Sequence, residues 1–311
     1  MPHFLTQPRR FFCAAAPRKL PNAFPRRRAY IAPLLCLLLA VWPAVAGPKP
    51  IVLDPAYEHD KWHTSKPDVV RKFEAYTVSF DGEDDDNGDN KGDTWRIPQW
   101  VAYEIKRVQR KVPSFSRPSW FTDDDLFEKR IAPRDESYRG AGYTWNRGHM
   151  CMKELAARLG KSADHNTHSL LNAVPQADLL NKGIWLDLEK KTGKWADTCG
   201  RVWIICGPVF KKKNMPSNWI GDGKELRVAV PDFCFKIVVR ESGTPAKPEV
   251  LAFEYPNSNS QKVLPKKKPF DHSKFQVTVD KIETDTGLDF LTVLKDDIER
   301  RVEAQKTPIW P

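Results

Sequence analysis

The chain has 311 residues, enough for one large domain or two smaller ones with a substantial buried core. Hydrophobic residues at 41% and aromatics at 11% exclude a chain that is disordered throughout. The formal charge of +10 sits mostly in residues 1–46, which hold seven basic residues and no acid. The remainder carries 43 basic against 40 acidic residues, so bulk charge does not identify a polyanionic partner and any basic surface must be local.

The first 46 residues read as a cleaved signal peptide. The basic run Arg26-Arg27-Arg28 precedes an apolar stretch from Ile31 to Val41, and Ala44 and Ala46 suit cleavage before Gly47. That apolar stretch is shorter than the ~20 residues of a membrane span. The reading is therefore a secreted or periplasmic protein without stable membrane association. Organelle targeting of a mitochondrial type is the alternative, because the leader is Arg-rich and acid-free. Residues 47–69 form an N-terminal extension that wraps the domain edge, and 70–311 form the domain proper.

Within that domain Val69–Phe80 is expected to be a strand, with imperfect alternation. The acidic run 81–90 is a solvated loop: an EF-hand anchored on Asn87-Gly88 would put Thr94 where the terminal Glu belongs. Gln99–Val108 resumes strand character, and Lys153–Leu159 is a short helix. Ala177–Lys191 is a stronger helix, with Leu180, Ile184 and Leu188 at i, i+4 and i+8. Strands follow at 201–206, 227–240, 248–255 and 274–279, and a helix from about Asp289 to Ala304 closes the chain. Strands in runs with few helices between them predict an α+β fold on a largely antiparallel sheet.

Four cysteines follow the leader: Cys151, Cys199, Cys206 and Cys234. A strand at 201–206 would hold Cys199 and Cys206 roughly 20 Å apart at ~3.3 Å per residue, beyond the about 7 Å a bridge spans. Three arrangements stay open: 151–199 with 206–234, 151–206 with 199–234, or four buried free thiols. No CxxC occurs, which argues against a cysteine zinc site.

The chemistry concentrates in two stretches. In Asn146-Arg147-Gly148-His149, Gly148 permits backbone geometry that a side chain obstructs. Arg147 can pair with phosphate oxygens in a bidentate way, and the His149 imidazole can take a proton from water near neutral pH. Taken alone, Arg147-Gly148-His149 is weak and favours a structural histidine beside a turn glycine over a catalytic one. The second stretch is Asn172…Pro175-Gln176…Asn181…Trp185…Glu189. On a helix Asn181, Trp185 and Glu189 share a polar face, whose oxygens suit a hard cation such as Mg²⁺. A rise of ~12 Å over eight residues makes Asn181 the direct ligand, with Glu189 acting through water. An ordinary surface face is the rival reading.

With these stretches in order, the chain resembles the DNA/RNA non-specific endonuclease family, which includes mitochondrial endonuclease G and has a ββα-metal (His-Me finger) core. The resemblance rests on Trp100-Val101-Ala102-Tyr103, on Arg117 in Ser116-Arg117-Pro118-Ser119-Trp120, and on the two stretches above. It extends through Gly207-Pro208-Val209-Phe210, Val230-Pro231 and Thr286-Gly287-Leu288-Asp289-Phe290, covering roughly residues 70–305.

The resemblance implies an antiparallel sheet flanked by helices and a metal-dependent endonuclease acting on DNA and RNA through backbone phosphates. His149 is then the general base, and Asn181 the protein ligand of Mg²⁺ (Mn²⁺ as a substitute). Arg117 and Arg147 support the phosphate charge, Glu189 orients water at the metal, and Asn146, Asn172 and Gln176 are supporting groups. One departure stands out, since the family usually has Asp where this chain has Asn146. That departure supports the alternative of a catalytically lapsed member that binds nucleic acid or a protein. The pair His59 and His63, the pair His165 and His168, and the clusters Lys211–Lys213 and Lys266–Lys268 read as surface or loop residues.

Overall fold

The computed structural model describes residues 56–82, 94–139, 145–211, 215–221, 225–243 and 247–311. The leader and most of the acidic run 81–90 lie outside these residues.

The main sheet has seven strands, every adjacent pair antiparallel. In chain order its members are β1 (Val69–Lys72), β2 (Thr77–Phe80) and β3 (Pro98–Lys106). Helix α1 (Asp124–Glu128), strand β4 (Trp145–His149), helices α2 (Lys153–Ala156) and α3 (Lys161–Asn166), strand β5 (Ala173–Ala177) and helix α4 (Leu186–Cys199) come next. The sheet resumes with β6 (Arg201–Val209). A small ribbon follows, made of β7 (Asn218–Ile220) and β8 (Val228–Val230). Then come β9 (Phe233–Ser242), β10 (Lys247–Pro256) and β11 (Gln276–Val277). Helices α5 (Val279–Thr286) and α6 (Asp296–Glu303) complete the order. The sheet runs β1-β2-β3-β6-β9-β10-β11, while β4 and β5 pair only with each other. The α+β expectation holds.

Alternation along the central strands sorts side chains onto two packed faces. From β6, Val202, Ile204 and Cys206 join the larger core cluster with α4 and the β4–β5 ribbon. Trp203, Ile205 and Val209 join the smaller one with Trp62, Ile282 and Phe290. Both faces are therefore covered, and the apolar run of β6 reflects that. The chain before β1 contributes to the second face: Trp62 is buried edge-on against Trp203, and Thr64 bridges to Phe290.

Several expected elements differ. Val69–Phe80 is a hairpin, not one strand: β1 pairs with β2, and the Phe73 amide donates to the Tyr76 carbonyl across the turn at 2.8 Å. Every residue of β2 is buried, so no alternation marks the reversal. The 227–240 strand breaks at Pro231-Asp232. There the chain leaves β8, and the Asp232 amide turns to the Val209 carbonyl at 3.0 Å. The strand at 274–279 shrinks to two residues, because Asp271 caps a 3₁₀ turn at His272–Phe275.

The closing helix is likewise only α6; Phe290 bridges to Thr64, Leu291 turns at φ 58°, and both are buried in the second cluster. Helix α5 was not expected, although Thr278 caps it and Gly287, at φ 68°, ends it. All four cysteines are free, in separate surroundings. The Cys151 thiol faces the Ala75 carbonyl, Cys206 faces Met150, Cys234 receives the Gln176 amide, and half-buried Cys199 lies beside Arg240.

The β4–β5 ribbon is fastened to the large sheet by Asn257, at the end of β10. Its Oδ1 accepts from the Ala177 amide at 2.7 Å, and its Nδ2 donates to the Pro175 and Pro231 carbonyls at 2.8 and 2.9 Å. Asn257→Ala strands three buried backbone groups. We expect a loss of about 3 kcal/mol, read as a lowered midpoint of urea unfolding with an unchanged slope.

Candidate active site

The site is built on the β4–β5 ribbon and the helix that follows it. In the ladder His149 lies opposite Ala173, Arg147 opposite Pro175 and Asn146 opposite Gln176. The long link between the strands, carrying α2 and α3, is tied down by buried Asn172. Its amide accepts from Cys151 N at 2.7 Å and donates to the carbonyls of Cys151 and Thr167 at 2.9 Å each. Gly148 packs against buried Gln176, and any Cβ there would overlap the Gln176 carboxamide. Asn172 and Gln176 are thus scaffold groups that set the height of β4.

A groove of ≈ 1120 Å³ opens over this ribbon, and His149, Arg117, Arg147, Asn146, Asn181 and Glu189 all line it. Trp120 packs on the His149 ring at 4.7 Å between centroids, and His168 meets it edge-on at 4.8 Å. Burial pushes the His149 pKa well below its ordinary value, and the neighbouring His168, Arg117 and Lys153 push it further. The ring is neutral at pH 7. Its Nε2 is buried with no hydrogen-bond partner.

His168, read from the sequence as a loop residue, is fully buried at the back of this site. Arg117 Nε donates to His168 Nε2 at 3.2 Å, while His168 Nδ1 lies 3.3 Å from Thr167 Oγ1, which donates to the Asp164 carbonyl at 2.7 Å. An imidazole that accepts from a guanidinium must be neutral and protonated on Nδ1. Burial, then Arg117, lowers its pKa to about 4, consistent with that tautomer. His165 sits away from the groove, stacked on Phe121.

Arg147 contacts Asp135, with Nε 2.6 Å from Oδ1, and its Nη2 donates to the Asp135 carbonyl at 3.1 Å. Asn146 donates to Asp178 Oδ1 at 3.3 Å. A hydrogen bond from Lys182, then one from Asn146, holds the Asp178 pKa below its usual value. An aspartate at 146 would face the Asp178 carboxylate directly, whereas asparagine supplies a donor. The carboxylate absent from position 146 is thus found on its neighbour.

The expected helix from Ala177 begins differently. Ala177 still belongs to β5, and Leu180–Trp185 form a π-helical turn with a kink at Gly183 before α4. Trp185 is fully buried, and Glu189 is 5% exposed. The polar face is therefore interior, not an ordinary surface. Asn181 is partly exposed in the groove, and among the described residues its amide has no hydrogen-bond partner.

Glu189 lies 3.6 Å from Lys236 Nζ, a fully buried lysine in the centre of β9 that also sits 4.0 Å over the Trp185 ring. Burial raises the Glu189 pKa to about 7 against the pull of Lys236, and its Oε1 has no hydrogen-bond partner. The Asn181 amide oxygen and the Glu189 carboxylate line one groove, oxygen donors that suit a hard divalent cation. Lys236 carried no signal in the sequence beyond a charge within a strand.

Elsewhere, partly buried His59 bridges Glu74 and Glu104 through both ring nitrogens and His63 is exposed. Lys211 lies over Phe233, its neighbours 212–213 falling outside the described residues. Lys266–Lys268 are exposed, and Lys268 pairs with Asp187.

Two antiparallel strands leading into a helix, with the histidine at the end of the first strand, define a ββα-metal nuclease fold. The sequence model of the DNA/RNA non-specific endonuclease family matches residues 62–297, and the chain belongs to that family. It is 28% identical to a nuclease of Serratia marcescens over 222 residues, 70% of this chain and 76% of that one. It is also 28% identical to the mitochondrial nuclease EXOG of Homo sapiens over 208 residues. That match covers 63% of this chain but only about half, 52%, of the human protein. Among solved structures, the EndoG/EndoGI complex superposes with a TM-score of 0.61 at 23% identity, covering 80% of this chain and 94% of that one, a likeness of fold.

His168→Phe keeps a ring of similar shape but removes the acceptor for Arg117. We expect kcat/KM to fall about tenfold, with His168→Gln recovering most of it. Steady-state kinetics on a nucleic-acid substrate reads both.

Proposed function

We propose that the protein is an exported, metal-dependent endonuclease that hydrolyses phosphodiester bonds of DNA and RNA with little sequence preference. The observation that carries it is the neutral His149 in one groove with Arg117, Asn181 and Glu189. The imidazole is free to take a proton from the attacking water, and because Nε2 is buried, Nδ1 is the nitrogen that does so. Arg117, aimed by His168, and Arg147 supply positive charge for the phosphate as charge builds in the transition state. Trp120 fixes the plane of the His149 ring.

Asn181 would hold Mg²⁺, with Mn²⁺ as a substitute. Once bound, that ion supplies Lewis-acid stabilisation of charge on the phosphate and leaving oxygens. Glu189, locked to Lys236, contributes a fixed carboxylate at the groove floor that orients water. Arg117, Arg147 and the cation address phosphate oxygens, which directs the chemistry to the backbone.

The lapsed-member alternative rested on Asn146. Its hydrogen bond to Asp178 gives that residue a place in a working site, which favours activity. Export is supported by the leader-like residues 1–46, and the mitochondrial naming of EXOG relatives supports the organelle alternative. Among the described residues no helix is long and apolar enough to cross a membrane.

Plasmid DNA and total RNA are the substrates for the test, with Mg²⁺ or EDTA, beside His149→Ala. We expect cleavage of both polymers, abolished by EDTA, and a loss of about 10²–10⁴-fold in the variant. Well-folded protein that cleaves neither polymer across several metals would overturn the enzyme reading.

The pH profile gives a second check. The base must be neutral, and burial beside cations lowers its pKa, so in Glu189→Gln, where the carboxylate that titrates at about 7 is gone, kcat/KM should stay flat as pH falls through 6.5 and decline only below it. A midpoint at or above 6.5 in that variant would overturn His149 as the buried base.

A further inference from the structure

On the sheet face opposite the groove, α5, the segment after Gly287 and α6 bring five carboxylates together. Asp280, Glu283 and Glu303 form one group, and Asp289, Glu299 and Glu303 a second; within each, the oxygens lie within 4.8 Å of one another. Glu303 belongs to both. It is 5% exposed, and its Oε1 is buried without a hydrogen-bond partner. Glu283 accepts one bond, from the Phe290 amide at 2.8 Å.

None of the five has an ion-pair partner among the described residues. The one lysine in the midst of α5, Lys281, turns to Asp285 and Glu254 instead. Arg300 is the cation near enough to favour charge on Glu299.

Like charges gathered this closely, one of them buried and unsatisfied, need a counter-charge or a proton. Burial, then the surrounding carboxylates, raises the Glu303 pKa. The choice between cations follows from coordination geometry. Calcium accepts irregular sets of carboxylates, while magnesium demands an octahedron.

We propose that Glu303, with Asp280, Glu283, Asp289 and Glu299, forms a structural Ca²⁺ site that clamps α6 to α5. The site is separate from the catalytic groove and draws on none of its residues. Asp289 links it to the segment before β1, since its amide donates to the Ser65 hydroxyl at 2.7 Å and its carbonyl accepts from the Ser65 amide at 2.8 Å. Calcium there ties α6 and the segment before β1 to the same sheet face.

The test is thermal unfolding of the full chain, stripped with chelator and then given CaCl₂ or MgCl₂. Saturating Ca²⁺, about 100-fold above Kd, should raise Tm by roughly 5 °C or more, with Mg²⁺ giving a smaller shift. The rise should persist in Asn181→Ala and disappear in Glu303→Gln. Asp280→Asn and Asp289→Asn, at exposed positions that do not threaten folding, should each shrink it. No rise with Ca²⁺, an equal rise with Mg²⁺, or an undiminished rise in Glu303→Gln and Asp289→Asn would each overturn the proposal. The readout is stability, so it stands or falls apart from nuclease activity.

Discussion

Two buried asparagines, one at each end of β5, set the position of everything the groove contains. Asn172 closes the link between β4 and β5 with three hydrogen bonds, and Asn257 fastens β5 to β10 with two more and holds Pro231 with a third. The ribbon itself pairs with no strand of the large sheet, and two short strands alone are marginally stable. Side-chain amides therefore do the work that a continuous ladder would otherwise do. Gly148 against Gln176 then sets how closely β4 approaches, and His149 follows from that spacing.

The electrostatics of the groove depend on the same packing. His149 and His168 remain neutral because both are withdrawn from water beside Arg117 and Lys153. Lys153 is in turn held by Asp164 at 2.8 Å, from the helix whose end carries Thr167 and His168. A chain of contacts thus runs from Asp164 to both histidines. On the opposite wall, Lys236 and Glu189 face one another in the interior, where losing either partner leaves the other uncompensated.

Much of the fold was legible from local pattern. The strands at β3, β6 and β10 and the helix α4 follow from their apolar spacing, and the order of the histidine, asparagine and arginine stretches pointed to one groove. What escaped the sequence was tertiary in origin. The β1–β2 hairpin was hidden because β2 is buried on both faces, so its residues do not alternate. His168 read as a loop residue because nothing local shows that Arg117, some fifty positions earlier, donates to it. Lys236 could not be read as an interior lysine without knowing that Glu189 and Trp185 face it. Helix α5 was missed although Thr278, Ile282 and Gly287 mark its cap, apolar face and stop. The cysteine pattern permitted bridges that the fold does not make.

That last point bears on where such a chain can mature. Cys151, Cys206 and Cys234 are sealed in apolar surroundings that raise their pKa values and leave the thiolate scarcely populated. No covalent closure has to form before the core is complete, so folding does not wait on an oxidase or isomerase and does not reverse when glutathione is plentiful. The same architecture can assemble on either side of a membrane that separates oxidising from reducing conditions. Among the described residues only Cys199, half-buried beside Arg240, remains open to peroxide or to a passing disulfide.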